Sequence, residues 1–420
     1  MTATPVSSIL AGAVDEAARR LGPVARRTSL ELHQRLSDAV GAEVWLKRED
    51  QQVVRSYKVR GAYNFIAQVA EEATEQGVVC ASAGNHAQGV AWACRALSIP
   101  GRIYLPRTTP RQKRERIRDL GGDWIQIVVT AETYEDASRA ASAHSADTGA
   151  ILVPAFDDPR TIAGQGTVAR EIIEQLGRVP DRIVVPVGGG GLIAGMASWL
   201  REHRHRVEII GVEPAGAASM AAALAAGGPV PLATVDSFVD GAAVRTAGRH
   251  TFPIVRDLVD RMVSVSEGRV CSEMLSLYQR DGIVTEPAGA LATASLGEVV
   301  HPRPGETIVC VVSGGNNDVS RYSEVIERSL VYEGLKHYFL VEFPQEPGAL
   351  RVFLSDVLGP DDDITLFEYV KRNNRETGPA LVGIELGAAD DLDALLARMT
   401  DSPCTVRRIE PDDPMFGFLQ

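Results

Sequence analysis

Lys58 is the residue whose surroundings best suit a chemically reactive amine. It is one of five lysines in a chain of 420 residues, and it follows Ser56, a good helix N-cap. Apolar residues recur after it at helical spacing, at Ala62, Phe65, Ile66 and Val69. The pattern places Lys58 in the first turn of a helix, where the helix dipole lowers the lysine pKa and favours the neutral amine that attacks carbonyl groups. Taken alone, the segment also fits a solvated lysine beside a cap.

A run of four glycines suits a phosphate group. It lies between a predicted strand at 182–187 and a predicted helix at 193–202, and its residues are Gly188, Gly189, Gly190 and Gly191, followed by Leu192. A glycine-rich turn before a helix exposes backbone N–H groups to an anion, and the missing Cβ atoms let the backbone close around it. The run matches neither a P-loop nor a GxGxxG fingerprint, so a single phosphate fits best. A plain tight turn would need only two glycines.

A second loop of small and polar residues follows the predicted strand 78–81. Its residues are Ser82, Ala83, Gly84, Asn85 and His86. Successive backbone N–H groups in such a loop suit a carboxylate, and the Asn85 amide can donate to a phenolic oxygen. His86 could serve as a catalytic base, but a histidine that supports the loop from the helix start is the preferred interpretation.

Ser313 follows a further predicted strand, at 307–312. Its hydroxyl can hydrogen-bond a ring nitrogen without protonating it fully, whereas an aspartate would fix a pyridinium and a stronger electron sink. A reactive lysine, a cup for one phosphate, a carboxylate loop and this serine together predict pyridoxal 5′-phosphate chemistry on an amino acid. All four features lie at the C-terminal ends of predicted strands, where open α/β sheets bind ligands.

The composition excludes several other functions. A net charge of −12 argues against nucleic acid and anionic membranes as partners, and the basic stretch 107–118 is mixed with acidic and apolar residues, as in a solvated helix. No apolar run of membrane-spanning length and no signal peptide is seen, and five scattered cysteines indicate free thiols, so we expect a cytoplasmic protein. The histidines form no metal-ligand pattern, so no metal site is expected.

The elements that must position these residues alternate between strand-like and helix-like runs from residue 43 to 316, which predicts an α/β fold with parallel sheets. The predicted strands are 43–46, 78–81, 102–105, 124–129, 151–153, 182–187, 207–212 and 307–312. A helix is predicted at 110–121, where Thr109 and Pro110 cap its start.

The pattern changes near residue 330. The tail predicts a strand, a helix, two strands, a helix and a strand, at 338–343, 347–358, 364–370, 380–386, 391–399 and 405–409, with a hairpin signal at 373–378. The order βαββαβ is that of a ferredoxin-like unit. We therefore predict a catalytic domain at 1–330, a linker at 331–336 and a small domain at 337–420. The alternative is a tail that extends the main fold.

These segments together resemble the threonine dehydratase family, in the tryptophan-synthase-β-like group of fold type II pyridoxal phosphate enzymes. The motifs occur in the right order between about residue 20 and 320, at 46–50, 56–62, 82–91, 188–192, 285–290 and 313–316. The tail, through 343–350 and 366–369, resembles the ACT-like regulatory domain of biosynthetic members. The resemblance implies a two-subdomain parallel-sheet fold with an added ACT-like domain.

The resemblance also implies roles for individual residues. Lys58 forms the Schiff base with the cofactor, Asn85 contacts the cofactor 3′-oxygen, and Ser313 faces the pyridine nitrogen. The run 188–192 holds the phosphate. Tyr57 stands where many relatives have a phenylalanine packed on the ring, and it keeps that stacking face.

Two further site assignments follow from the resemblance. The loop 82–86 holds the substrate carboxylate. Glu286 lies near the cofactor ring, and the acid that protonates the leaving hydroxyl is either Glu286 or the cofactor phosphate. The freed Lys58 amine removes the Cα proton.

The implied function is L-threonine ammonia-lyase activity, which yields 2-oxobutanoate and ammonia in the first step of isoleucine biosynthesis. The tail would bind isoleucine as feedback inhibitor, with valine opposing it. Leu366 and Phe367 are the candidate effector residues, with core packing as the alternative. A homotetramer is a family expectation. Two other functions remain open: serine dehydratase or racemase activity on the same frame, and a non-catalytic amino-acid sensor.

Overall fold

The computed structural model describes residues 6–369, 376–410, 413–416 and 419. Within these ranges the chain forms two compact units. The first contains the residues up to 267 together with 277–317, and the second contains 268–276 and the residues from 318 onward. No helix in the described ranges is both long and apolar enough to cross a bilayer.

The first unit contains ten strands. They are β1 (Leu30–Leu32), β2 (Glu43–Arg48), β3 (Val78–Ala81), β4 (Gly101–Pro106), β5 (Ile125–Ala131), β6 (Ile151–Leu152), β7 (Arg182–Pro186), β8 (Glu208–Pro214), β9 (Arg261–Val265) and β10 (Thr307–Val312).

Thirteen helices belong to this part of the chain. They are α1 (Val6–Leu21), α2 (Gln34–Val40), α3 (Lys58–Gln68), α4 (Ala70–Gln76), α5 (Asn85–Leu97), α6 (Arg111–Gly121), α7 (Tyr134–Thr148), α8 (Pro159–Leu176), α9 (Gly191–Glu202), α10 (Ser219–Ala226), α11 (Thr251–Leu258), α12 (Glu267–Asp281), whose residues are divided between the units, and α13 (Pro287–Ala294).

Two sheets organise the first unit, and they confirm the predicted α/β class. The larger has the order β1-β2-β10-β7-β8-β9, with every pair parallel except β1 with β2, and the smaller is a parallel sheet of order β5-β4-β3-β6. All six residues of β10 are buried, as expected for a central strand that helices cover on both faces.

The eight predicted strands of this unit are all present, with ends that move by up to two residues. The sequence analysis missed β1 and β9. β1 has only three residues, and β9 carries a mixed pattern of exposed and buried positions that gives no clear period of two. Both lie at the edges of the larger sheet, where burial imposes the weakest pattern.

α8 lies in close contact with both α3 and α9. A Cβ atom on Gly164 would come 2.5 Å from the carbonyl oxygen of Arg60, and one on Gly195 would come 2.2 Å from that of Ile162. Glycine is therefore required where these backbones meet. The contacts fix the helix that starts at Lys58 and the helix that follows the glycine run against one common helix.

The second unit contains α14 (Tyr322–Tyr332), β11 (Lys336–Pro344), α15 (Ala349–Val352), a π-helical continuation (Phe353–Val357), β12 (Asp363–Tyr369), β13 (Thr377–Glu385), α16 (Leu392–Asp401) and β14 (Thr405–Ile409). The antiparallel sheet has the order β12-β13-β11-β14, and the element order from β11 is the predicted βαββαβ. Of the hairpin signal at 373–378, residues 373–375 lie outside the described residues, and β13 begins at Thr377.

The predicted linker at 331–336 is partly wrong. α14 continues to Tyr332 and β11 begins at Lys336, so only residues 333–335 lie between elements. The division into 1–330 and 337–420 stays a prediction, because the compact units divide near residue 318 and the second also takes 268–276. Ser272 and Ser329, whose hydroxyls are 2.9 Å apart, show why α14 belongs with that segment of α12.

Candidate active site

Lys58 is the first residue of α3, as predicted. Its Nζ donates a hydrogen bond of 3.0 Å to the carbonyl oxygen of Ala155 and lies 5.3 Å from the centre of the Tyr57 ring. Burial lowers the lysine pKa to about 8 and outweighs the charge of Glu286, which acts in the opposite direction. The pKa is lowered as predicted, but the main cause is loss of solvent and not the helix dipole.

The predicted cap at Ser56 is wrong. The capping position of α3 is occupied by Tyr57 in helical conformation, with no side-chain cap. Ser56 instead forms an isolated antiparallel bridge with Gly314, and its buried hydroxyl has no hydrogen-bond partner among the described residues. The bridge holds the chain before Lys58 against the loop that follows β10.

The glycine run forms one wall of a cavity beside Lys58. The lining residues are Tyr57, Lys58, Phe156, Pro186, Gly188, Gly189, Gly190, Gly191, Leu192, Gly241 and Val244. A Cβ atom on Gly189 would lie 2.4 Å from the Phe156 ring, and Gly190 has a φ of +91°, so side chains are excluded at both positions. A backbone cradle beside a buried amine fits pyridoxal 5′-phosphate, with residues 188–192 as the phosphate site and Lys58 as the amine.

Glu286 is buried and shares hydrogen bonds with two asparagines. The Asn85 amide donates to Glu286 Oε1 at 2.5 Å, and the Asn316 amide donates to Asn85 Oδ1 at 2.6 Å. Burial raises the pKa of Glu286 to about 7, the charge of Asp240 adds to this effect, and the Asn85 hydrogen bond opposes it. An amide nitrogen carries two hydrogens, so Asn85 can serve Glu286 and the predicted cofactor oxygen together.

The structure places Ser313 directly beside the start of α3. Its carbonyl oxygen accepts a hydrogen bond of 3.1 Å from the Tyr57 backbone, and its hydroxyl donates to the carbonyl oxygen of Ala288 at 3.2 Å. The predicted contact with a ring nitrogen stays a prediction. The hydroxyl would have to turn from Ala288 to make it.

The loop 82–86 leads directly into α5. Ser82 Oγ accepts a hydrogen bond of 3.2 Å from the Gly84 backbone, and α5 starts at Asn85. His86 is buried, and its Nε2 contacts the carbonyl oxygen of Val153 at 2.9 Å. Burial lowers the His86 pKa to about 4, with a further contribution from the charge of Lys58. A neutral ring that donates to a carbonyl supports the loop, which agrees with the preferred interpretation. Its lack of a base role stays a prediction.

The motif at 46–50 supplies a buried ion network directly behind α3. Arg60 binds both oxygens of Glu49 at 2.8 Å and binds Glu171 at 2.7 Å, while Lys47 donates to Glu171 at 2.6 Å. Arg60, Glu49 and Lys47 are almost completely buried. Burial by itself would raise the Glu49 pKa, but the charge and hydrogen bonds of Arg60 outweigh it and lower that pKa below its usual range.

Replacement of Arg60 by methionine should destabilise the fold by about 3–5 kcal/mol, because it leaves the buried Glu49 carboxylate without its main partner. Urea unfolding followed by circular dichroism measures the change. Arg111→Met is the matched control, since the Arg111 side chain is 83% exposed and its ion pair with Glu115 is screened by solvent, so this change should have little effect on stability. Equal losses of unfolding free energy in Arg60→Met and Arg111→Met would contradict a stabilising role for the buried Arg60–Glu49 pair.

The sequence analysis missed the loop 153–158, which joins β6 to α8. Its carbonyl groups accept from His86 and Lys58, and Phe156 packs on the glycine run. Asp158 caps α8 ahead of Pro159. An Asp-Pro pair a few residues after a predicted strand is a recognisable helix start, and the strand end could have pointed to the loop.

Asp240 was also missed. It lies close enough to Glu286 to raise the pKa of the Glu286 carboxyl group. Its carboxylate accepts from Lys113 Nζ at 2.8 Å. Lys113 belongs to α6, the helix that the sequence analysis had interpreted as a solvated face. No sequence pattern links these two residues, which are 127 positions apart.

The second unit has a cavity of about 160 Å³ at the start of α15. Its lining residues are Phe343, Pro344, Gln345, Glu346, Gly348, Ala349, Leu350, Phe367 and Tyr369. Most of them come from the motif at 343–350. Of the two predicted effector residues, Phe367 lines this cavity, whereas Leu366 packs on the opposite face of the sheet against Tyr338, Ile409 and Phe416. The effector role itself stays a prediction.

In the described ranges, no group of three or more histidine, cysteine, aspartate or glutamate side chains is arranged to hold a metal ion. Among the described residues, the cysteines at 80, 94, 271 and 310 are buried, Cys404 is partly buried, and none of them forms a disulfide.

Comparison with known families matches almost the whole chain. Residues 22–314 match the family described as pyridoxal-phosphate dependent enzyme. Residues 327–419 match the family described as the C-terminal regulatory domain of threonine dehydratase.

Several curated proteins are similar over their full length. The biosynthetic L-threonine dehydratase of Mycobacterium tuberculosis is 58% identical over 421 residues, which covers 100% of this chain and 98% of that protein. The corresponding protein of Corynebacterium glutamicum is 55% identical over 416 residues, which covers 98% of this chain and 95% of that protein.

Solved structures are similar over about three quarters of this chain. The processed form of threonine deaminase isoform 2 from Solanum lycopersicum has a TM-score of 0.73 and 39% identity, covering 76% of this chain and 93% of that chain. Maize serine racemase has a TM-score of 0.70 and 32% identity, covering 77% of this chain and 98% of that chain.

Proposed function

The chain belongs to the threonine dehydratase family of pyridoxal-phosphate-dependent enzymes, and from that premise we propose that it converts L-threonine to 2-oxobutanoate and ammonia. The observation that carries the proposal is the buried Lys58 amine beside the glycine-lined cavity. Glu286 is close enough to affect the Lys58 pKa. The product would supply isoleucine biosynthesis.

Pyridoxal 5′-phosphate, when bound, supplies an aldehyde for the substrate amino group and an electron sink for the electrons left at Cα. The lowering of the Lys58 pKa to about 8 raises the fraction of neutral amine above that of an ordinary lysine, and this neutral form can accept the Cα proton. Its contact with the carbonyl oxygen of Ala155 limits where the amine can lie when it is free.

Glu286 is the group in this site best suited to protonate the leaving hydroxyl. With its pKa raised to about 7, it keeps a proton at pH values where an ordinary glutamate has lost it. The Asn85 amide donates to its Oε1 at 2.5 Å, and the backbone of Asn316 also donates to the carboxyl group. The backbone N–H groups of the loop 82–86 would hold the substrate carboxylate.

The proposal is tested by 2-oxobutanoate release from L-threonine by the purified full-length protein, with pyruvate release from L-serine measured in parallel. Threonine turnover well above serine turnover supports the proposal. Preference for serine would favour a serine dehydratase, and an absence of both products would leave the sensor hypothesis.

Serine racemase activity is the second candidate, and the similarity to maize serine racemase supports it. Chiral chromatography of the serine that remains after incubation distinguishes racemase activity from lyase activity. Formation of D-serine faster than keto-acid release would replace the lyase assignment.

We further propose that isoleucine binds in the cavity of the second unit and inhibits turnover, with valine opposing it. Phe343, Phe367 and Tyr369 offer an apolar wall for a branched side chain, and Glu346 offers a carboxylate for an ammonium group. The match of residues 327–419 to a regulatory domain supports this assignment.

Replacing Phe367 by alanine should raise the isoleucine concentration for half-inhibition by about tenfold or more, because a buried apolar contact of roughly 1.5–3 kcal/mol is lost. Inhibition curves at fixed threonine measure the change. Leu366→Ala is the matched control, because Leu366 is next to Phe367 on the same strand but faces the other side of the sheet. A larger shift in the control than in Phe367→Ala would place the effector elsewhere.

A cytoplasmic homotetramer is proposed as the state of the protein. The similarity to biosynthetic enzymes and the five cysteines that form no disulfide support a reducing compartment. Light scattering coupled to size exclusion chromatography measures the subunit number.

A further inference from the structure

The loop 153–158 reaches beyond the cavity through Asp157. Phe156 lines the cavity, whereas Asp157 turns to the segment that precedes α11. Its two carboxylate oxygens accept from the backbone of Arg249 at 2.8 Å, His250 at 2.7 Å and Thr251 at 3.3 Å. Asp157 is thus bound to the first residue of α11, 94 positions away in the chain, and to the two residues before it.

These hydrogen bonds replace a missing local cap. The N-cap residue of α11, His250, is in helical conformation and makes no side-chain cap. The first N–H groups of a helix need acceptors from outside it, and a carboxylate is a favourable one. Asp157 supplies that acceptor and fixes the position of Thr251.

Thr251 is completely buried and connects α11 to the glycine run. Its hydroxyl donates a hydrogen bond of 2.6 Å to the carbonyl oxygen of Gly189. The Gly248 backbone donates to the same oxygen at 3.4 Å. Neither donor is among the residues that line the cavity, so the Gly189 carbonyl is turned away from it.

The direction of this carbonyl decides the direction of the next N–H group. A trans peptide is planar and its C=O and N–H bonds point in opposite directions, and the described chain contains no cis peptide. Because the Gly189 carbonyl points to Thr251, the N–H of Gly190 points to the opposite side, and Gly190 is one of the residues that line the cavity. Gly190 has no side chain that could shield it.

We propose that Asp157 and Thr251 are positioning residues for the cofactor phosphate: Asp157 fixes the first residue of α11, and Thr251 fixes the peptide whose N–H faces the phosphate. The inference rests on the proposed function only for the identity of the cofactor. Loss of threonine turnover in the parent would overturn that function without touching this proposal, because the test measures binding.

The test compares two ligands that differ only in the phosphate. Full-length protein freed of cofactor is titrated by calorimetry with pyridoxal 5′-phosphate and separately with pyridoxal. Thr251→Val, which keeps the shape and removes the donor, should weaken binding of the phosphate form about tenfold and change pyridoxal binding by less than about twofold. Thr251→Ser, which keeps the donor, should restore the parent value.

Asp157→Asn provides a second, independent variant, because it removes one acceptor at a residue outside the cavity. It should show the same phosphate-selective loss at a smaller size. Thermal melting of each variant is recorded alongside. Equal weakening of both ligands, or unchanged binding of both in a folded Thr251→Val protein, would overturn the proposal. If Thr251→Val does not fold, the result for Asp157→Asn decides by the same criteria.

Discussion

Replacement of Lys58 by alanine should reduce threonine turnover by at least about 10³-fold, because one amine both holds the cofactor and moves the Cα proton. The remaining structure gives no substitute at that position. Among the described lysines, Lys47, Lys113 and Lys336 are each engaged by a carboxylate. Steady-state release of 2-oxobutanoate measures the loss.

Two further variants separate a missing amine from a damaged fold. Lys58→Arg keeps the charge but carries a guanidinium that is never neutral, so it should be as inactive as the alanine variant. Lys336→Met in the second unit is the control and should keep the parent rate. Added methylamine should partly restore Lys58→Ala, since a small amine can occupy the vacated volume. Turnover by Lys58→Ala near the parent rate would contradict the assignment of Lys58 as the catalytic amine.

Glu286→Gln should lower threonine turnover by roughly 10²–10³-fold, the usual contribution of a general acid. Glutamine keeps the oxygen that accepts from Asn85, so the hydrogen-bond network is retained while the proton is lost. Glu213→Gln is the matched control. Glu213 is also buried with a pKa raised to about 7, but its partners are the backbone of Met220 and Ala221. Threonine turnover that falls in Glu213→Gln but not in Glu286→Gln would assign the general acid to another residue.

The same substitution should change how stability depends on pH. The Glu286 pKa rises from about 4.5 in the unfolded chain to about 7 in the folded protein, so between these values the folded state holds a proton that the unfolded state has lost. Stability therefore falls as pH rises through this range, and the cost persists above pH 7. Relative to the parent, Glu286→Gln should gain up to about 3 kcal/mol between pH 5 and pH 8. Urea unfolding at the two pH values measures it, and a constant difference would contradict the raised pKa.

The sequence predicted those site features that depend on local order. Lys58 at a helix start, the glycine run before α9 and the loop 82–86 before α5 are each set by a strand, a turn and a helix that are consecutive in the chain. Their local pattern carries the information, so their placement was readable without the fold.

Contacts between distant segments could not be predicted in this way. The bond between Asn85 and Glu286 joins residues 201 positions apart, and the pairing of Lys113 with Asp240 has no periodic pattern. Ser56 has the right type for a cap, but its bridge to Gly314 draws it away from the helix. The side of the sheet that Leu366 faces could not be predicted for another reason. The register of β12 shifts between Ile364 and Leu366, and this shift interrupts the alternation of side chains between the two faces.

The contact between Lys58 and a carbonyl oxygen has a consequence for chemoselectivity. An aldehyde in solution reacts with any accessible amine, and this chain offers few. In the described part of the chain, three of the four lysines must break an ion pair before their nitrogen can attack, whereas Lys58 must leave only the oxygen of Ala155. The choice of one amine thus depends as much on what the other lysines hold as on Lys58 itself.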